Sequence, residues 1–356
     1  MTHSDFHYII LKTRKGFQTK QQKVTFADIA KHTNFSKTTI SRYFNNPDSL
    51  TDASKQKIER ALIELGYQEN KLAKVLAKGK TEFIGIIIPN LFLHFYAAIL
   101  EEILATYKKN NYKFLVFIGD DNIETEREYI QELLAYNIEG LIVLSHTITS
   151  EELASYNVPV VSIERESQYI SSIETDNYLG AIQATGSLIK NNCDILIHIN
   201  GKLKENIPAY NRVKGFETMC QDSDVEYRIF ATDLGSSYHQ IQTELQHHFE
   251  TIEANYQGKR KGIFFANDTY ASIFVNILFQ KYGHFPEDYR IVGFDDSPIA
   301  SETIIPLTTI RQDLKAISHT ALEVLSQQIE ERKKEIISPI QHREIAPKLI
   351  KRSTTF

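Results

Sequence analysis

Two cysteines, two methionines and no tryptophan stand among the 356 residues. Cys193 and Cys220 lie far apart and neither has histidine partners at zinc spacing, so two buried, reduced thiols are expected in place of a disulfide or a metal site. No apolar run reaches membrane-spanning length, and no long apolar core ending in small residues marks the N-terminus; a transmembrane helix and a secretory signal are not expected, and a cytoplasmic protein is. Glycine-rich phosphate loops, Cys-x-x-Cys pairs, nucleophile elbows and the HEXXH zinc helix are missing. His247-His248 is a lone adjacent pair in a predicted helix and reads as surface. With no isolated acid-base pair, the sequence points away from an enzyme, and no metal or cofactor is expected.

What is present divides unevenly. The length suits two or three domains. Residues 1–80 carry 15 Lys+Arg against 7 Asp+Glu, a net of +8, while the remaining 25 basic and 38 acidic residues give −13. A basic head attracts phosphate backbones, and an acidic body resists coating nucleic acid at random.

The segment 24–46, VTFADIAKHTNFSKTTISRYFNN, reads as two short helices joined by a tight turn. Ile29 and Ala30 are apolar on the first helix; Ile40 and Phe44, four apart, form an apolar stripe on the second. Lys37, Thr38, Ser41 and Arg42 are left to face outward, where arginine reads guanine and hydroxyls reach bases or phosphates in a DNA major groove. Thr25 and Ser36 are placed to cap the two helices, with Asp28 near the positive end of the first. Asn34 stands in the turn where a positive φ is usual. A third helix opens at Thr51 or Ser54, carries Ile58, Ala61, Leu62 and Leu65 on one face, and stops at Gly66. Residues 1–22 read as a poorly ordered arm, and GYQENKLAKVLAKGK (66–80) as a linker or a short hinge helix whose apolar side wedges into a minor groove.

From Phe83 onward short Ile/Val-rich runs alternate with helical stretches. FIGIIIPN, KFLVFIGD, GLIVLS and VPVVSIE make one set; DILIHIN, YRIFATD, GIFFAND and RIVGFDD make a second. Helices are expected at 95–110, 123–136, 178–190, 208–221, 238–254 and 269–282. This alternation predicts two α/β lobes, each a parallel sheet covered on both faces. Ligands bind beyond the carboxyl ends of such strands, where Asn90, Glu164-Arg165, Asn267-Asp268 and Asp295-Asp296 close the runs, so a cleft between lobes is the expected pocket.

The segment 24–76 resembles the DNA-binding head of the LacI/GalR repressor family, and the body resembles its periplasmic-binding-protein-like core. The carrying motifs are the head pattern, IGIIIPN, ETDN, NRVKGF, FFANDTYA, IVGFDD and PLTTIRQD, in that order over residues 23–353. The resemblance implies an all-α helix-turn-helix head plus an α/β core of two Rossmann-like lobes with parallel sheets. Its boundaries are an arm at 1–22, the head at 23–68, a hinge helix and linker at 69–81, and a core at 82–353. Within the core the N-lobe takes 82–178 and 310–338, and the C-lobe 179–307 and 339–353.

Carried over residue by residue, the resemblance makes Lys37 and Thr38 the base-choosing positions, with Arg42 a further reader. Thr25, Ser36, Thr39, Ser41 and Asn45 become phosphate holders, and Ala73 and Leu76 the minor-groove pair. Glu69 departs from the family's usual Pro. In the body it implies effector contacts from Phe95, Tyr96, Glu164, Arg165, Arg212, Asn267 and Asp295. Aromatic faces stack on a sugar ring while carboxylates, a carboxamide and arginine bond its hydroxyls, or arginine pairs an acid or phosphate. Phe95 and Tyr96 read equally as core, and Asp295 as a turn cap; a buried Arg212 demands a partner. Glu164 departs from the usual Asp, and His94 stands at the rim where Pro is frequent.

The expected protein is a homodimeric repressor of a carbohydrate-use operon, bound to a near-palindromic double-stranded DNA operator and controlled by a sugar, sugar acid or sugar phosphate. The alternatives are a global carbon-catabolite regulator of the same family answering to a phosphorylated partner protein, and a sugar-binding protein without DNA function, which would lack the basic head.

Overall fold

The computed structural model describes residues 24–67, 81–107, 112–119, 122–165, 167–202 and 207–355. The chain divides into two compact units at Gly79/Lys80. The expected arm and hinge helix lie outside the described residues.

In the first unit, α1 (Phe26–Thr33), α2 (Lys37–Asn45) and α3 (Asp52–Glu64) surround a small core. Ile29, Ala30, Ile40, Ile58 and Ala61 are buried there, with Phe26, Phe44, Leu62, Leu65 and Tyr67 packed around them. Phe26 and Phe44 stack at 5.1 Å. The ends of the helices follow from their cap residues. Thr25 exchanges bonds with Asp28 in a capping box, Ser36 Oγ accepts from Thr39 N at 3.1 Å, and Thr51 Oγ1 accepts from Ser54 N. Asn34 takes φ 57°, and Gly66 takes φ 60° beyond α3, where the Tyr67 amide bonds back to the Leu62 carbonyl.

The second unit holds two sheets. The first comprises β1 (Phe83–Ile88), β2 (Lys113–Ile118), β3 (Gly140–Val143), β4 (Val160–Ile163), β5 (Ser171–Thr175) and β11 (His342–Ile345), in the order β11-β5-β4-β3-β1-β2, with every pair parallel. The second comprises β6 (Ile195–Asn200), β7 (Tyr227–Ala231), β8 (Lys261–Phe265), β9 (Tyr289–Asp295), β10 (Thr308–Arg311) and β12 (Lys348–Ile350), in the order β12-β10-β9-β8-β6-β7. Only β12 runs antiparallel to its neighbour. Helices cover both faces: α4 (His94–Ala105), α5 (Ile123–Ala135), α6 (Ser150–Ser155) and α12 (Leu314–Lys333) serve the first sheet. The second carries α7 (Asn177–Lys190), α8 (Tyr210–Asp222), α9 (Tyr238–Asn255) and α10 (Asp268–Tyr282), with α11 (Pro298–Glu302) beside them. Burial on both faces explains why β1, β3, β4 and β8 read as largely apolar runs, broken only by the buried Ser162 in β4 and Lys261 at the start of β8.

Two lobe boundaries differ from the sequence expectation. β10 belongs to the second sheet, so Ile310 and Arg311 lie in the C-lobe and the chain returns to the first lobe only at α12. β11 joins β5 in the first sheet, so the last crossing falls between Ile345 and Lys348 and not at 339. The reason is register: Arg343 pairs with Ile173 and Glu344 with Glu174, giving β5 a partner on its open edge. His248 corrects another reading. Adjacent helix residues point about 100° apart, so His247 is exposed while His248 is buried, bonded to Thr232 Oγ1 at 3.0 Å. Cys193 and Cys220 are free and buried, their thiols pushed up to about 11 and about 12 by burial. Among the described residues no helix is long and apolar enough to cross a membrane.

Candidate functional site

On the first unit, α2 presents Lys37, Thr38, Arg42 and Asn45 to solvent, with Thr39 and Ser41 half-buried beside them. Ile40 alone on this helix is fully buried, which fixes the helix and leaves the opposite side free to enter a groove. Ser36 and Thr39 hydroxyls share a 2.9 Å bond, and Asn45 Nδ2 donates to Ser41 Oγ at 3.2 Å. Thr25 is exposed, its Oγ1 and amide both on Asp28; these bonds hold the Asp28 carboxyl below its ordinary pKa. Ala73 and Leu76 lie outside the described residues.

In the second unit the polar site forms where the chain passes between sheets. Arg212, on the first turn of α8, is buried; its Nε donates to Asn177 Oδ1 at 2.7 Å, its Nη1 to the Ala266 carbonyl, and its guanidinium lies 3.6 Å from the Phe294 ring centroid. Asn177 Nδ2 donates to Glu164 Oε2 at 3.0 Å and to the Thr175 carbonyl at 2.9 Å, and Glu164 also accepts the Thr175 amide. From Thr175 the path continues through its hydroxyl to Gln312 Oε1, and Gln312 Nε2 donates to Asp295 Oδ1 at 2.7 Å. Residues from the ends of β4, β5, β9 and β10 and the starts of α7 and α8 thus form one network spanning both sheets.

The electrostatics follow from burial. Arg212 is pushed below the usual arginine range by desolvation, and Asp295, Glu164, Tyr96 and Asp268 oppose that shift. Desolvation pushes Asp295 up to about 7, with Arg212 and Gln312 holding it back. Asp268 is raised by burial and by the Asp295 charge, although it accepts from Ser297 N at 2.9 Å and from Thr309 Oγ1 at 2.6 Å. Glu164 at φ 54° and Asp295 at φ 111° both occupy backbone conformations that cost an L-residue about 1–3 kcal/mol. Both of these acids act electrostatically on the buried Arg212.

Gly293 protects this arrangement: a Cβ there would fall inside the van der Waals radius of Asp268 Oδ1. Gly293→Ala is expected to lower stability by about 1–3 kcal/mol, read as a fall in the melting temperature of the core; an unchanged melt would show that Asp268 is not tightly seated.

The sequence-derived residues separate into two groups. Tyr96, Glu164, Arg212 and Asp295 come together. Phe95 is buried in the N-lobe core, its ring edge-on to Tyr96 at 5.3 Å. Arg165 turns away, its Nη2 donating to the Ile148 carbonyl in the loop before α6. Asn267 caps α10, its Oδ1 accepting from Tyr270 N at 2.9 Å. Asn177, Gln312 and Thr175 were not singled out, though all three stand within the ETDN and PLTTIRQD motifs; polar residues closing a strand in those motifs were the available signal. His94 meets the other lobe: its amide and Nδ1 lie 3.3 and 3.0 Å from Thr269 Oγ1, and burial lowers its pKa. Phe92 and Leu93 pack on the C-lobe core beside it. A separate concavity of about 340 Å³, lined by Tyr156, Tyr169, Gln328 and Arg332, lies at the opposite, amino-terminal ends of β4 and β5.

Comparison with known proteins bears on both units. Residues 25–70 match the model of the bacterial regulatory proteins, lacI family, and residues 188–355 that of a periplasmic binding protein-like domain. The sucrose operon repressor of Pediococcus pentosaceus is 30% identical over 85% of this chain and 92% of its own length. A periplasmic binding protein/LacI transcriptional regulator from Alkaliphilus metalliredigens, solved with D-xylulofuranose, is 27% identical with a TM-score of 0.67, over 77% of this chain and 99% of the other. The lac repressor dimer bound to operator and the anti-inducer ONPF superposes with a TM-score of 0.80 at 22% identity, over 94% and 99% of the two chains.

Proposed function

The chain belongs to the LacI family of bacterial regulatory proteins, and from that premise we propose that it represses a carbohydrate-use operon in the cytoplasm, as a homodimer on a near-palindromic operator, under control of a sugar-like effector bound between its lobes. The observation that carries the reading is the buried network from Glu164 through Asn177 and Arg212, and from Asp295 through Gln312 to Thr175, in a chain that also bears a helix-turn-helix. Directional donors and acceptors beside the Tyr96 ring suit a polyhydroxylated ring.

In the head, Lys37, Thr38 and Arg42 read bases, while Thr25, Ser36, Thr39, Ser41 and Asn45 hold phosphates. Ala73 and Leu76 supply a minor-groove wedge. In the body, Tyr96, Glu164, Arg212 and Asp295 touch the effector, with Asn177 and Gln312 orienting them. Phe95, Arg165 and Asn267 support the site through core packing, the Ile148 carbonyl and the α10 cap. The effector acts through its different affinity for the DNA-competent and incompetent arrangements. Control by a phosphorylated partner protein is the less favoured reading, since it leaves the Arg212 network without a role.

The reading is tested by calorimetry with a sugar panel, followed by operator titration with and without any sugar that binds. A sugar that binds and shifts operator affinity supports it; DNA binding indifferent to every bound sugar overturns it. A pH dependence should accompany binding. Asp295 titrates near 7, well above its unfolded value, so it is ionised above that pH and protonated below. A sugar hydroxyl donates best to the ionised form, so effector affinity is expected to fall by up to about tenfold per pH unit below 7. The Asp295→Asn variant should lose that slope, and a wild-type profile flat from pH 8 to 6 would remove Asp295 from the contact set.

A further inference from the structure

Resting on that reading, we propose that the effector is an electrically neutral sugar, and that the cleft rejects the phosphate and carboxylate derivatives of the same sugar because Arg212 is already committed and Glu164 and Asp295 flank it.

The donors come first. Arginine grips two anionic oxygens most strongly through the fork formed by Nε and Nη2. Here Asn177 Oδ1 takes the Nε hydrogen at 2.7 Å, the Ala266 carbonyl accepts from Nη1, and Phe294 covers one face of the guanidinium. The side-on fork is closed. Three of the five N–H hydrogens remain, one on Nη1 and two on Nη2, and they suit hydroxyl or ring oxygens approached end-on.

The acceptors favour the same conclusion. A carboxylate offers about four lone-pair positions. Glu164 uses two, on Thr175 N and Asn177 Nδ2, and Asp295 also uses two, on Gln312 Nε2 and the Asp268 amide, so both retain capacity for hydroxyl hydrogens. Asp268, held by Ser297 and Thr309, is pushed toward its neutral form by burial and the Asp295 charge, so the repulsion comes from Glu164 and Asp295. Among the described residues, Arg165 is engaged on the Ile148 carbonyl, Arg311 and Arg352 each lie 2.6 Å from Asp296, and Lys202 beyond β6 is exposed. An incoming phosphate would meet carboxylates with one partly occupied arginine to offset them. At an effective dielectric near 20, one like charge held within about 5 Å costs on the order of a hundredfold in affinity.

The test uses the full chain and calorimetry with matched probes: glucose, fructose, ribose, xylose and sucrose against glucose 6-phosphate, fructose 6-phosphate, ribose 5-phosphate, sucrose 6-phosphate and glucuronate. A neutral member is expected to bind at least a hundredfold more tightly than its charged derivative. Measured at pH 8, where Asp295 is ionised, Asp295→Asn, and independently the isosteric Glu164→Gln, should each narrow that ratio at least tenfold by removing a like charge. A charged derivative that binds as tightly as its parent overturns this inference while leaving the regulator reading intact. A panel with no binding member overturns both.

Discussion

Replacing Arg212 with alanine is expected to weaken effector binding at least a hundredfold and abolish the effector response, while operator affinity stays within about threefold of the wild type. The size follows from what the side chain joins. Each hydrogen bond to a charged group contributes about 1.5–3 kcal/mol, and Arg212 orients Asn177, which in turn holds Glu164. Removal leaves Glu164, Asp295 and Asp268 without their nearest cation, so the core should also melt lower. Arg212→Lys separates the two effects. It retains the charge yet cannot reproduce both the Asn177 and Ala266 bonds, so stability should largely recover while effector affinity does not. Calorimetry and thermal melts of both variants read this directly; normal effector response in the alanine variant would remove Arg212 from the site.

Ile58→Ala should act in the opposite sense, abolishing operator binding while leaving effector affinity unchanged. Ile58 is fully buried among five buried apolar residues of the head. Truncating a buried isoleucine costs about 2–5 kcal/mol, and a domain of this size holds a total stability of only about 2–7 kcal/mol. The core unit has its own apolar clusters and does not depend on this residue. Anisotropy on operator DNA should show at least a tenfold loss, alongside an unaltered effector isotherm. Full operator affinity would mean that the head is stabilised by more than its own core.

The head and most strands were legible because their signals are local. Ile40 and Phe44 at helical spacing, Ser36 as a cap and Asn34 in the turn each act within a few residues, and β1, β3, β4 and β8 announce themselves as buried Ile/Val/Phe runs. β5 did not: SSIET is mostly polar, and Ser171 and Ser172 are buried only because β11 and α12 close over them. The same non-locality hid half the site. A buried arginine calls for a partner, but nothing near Arg212 in the chain names Asn177, and Thr175 meets Gln312 across 137 positions. Asn267 and Arg165 show a second role that position alone does not reveal. They occupy the carboxyl ends of strands, as site residues do, yet their side chains satisfy a helix N-terminus and a loop carbonyl.

The account's central claim is that a small molecule among Glu164, Arg212 and Asp295 governs DNA binding by the head. It is tested most directly by titrating labelled near-palindromic operator DNA with the full-length protein, without sugar and with a saturating neutral sugar already shown to bind by calorimetry. The account predicts at least a tenfold shift in operator affinity that disappears in Arg212→Ala. Identical operator curves with and without the bound sugar would contradict it.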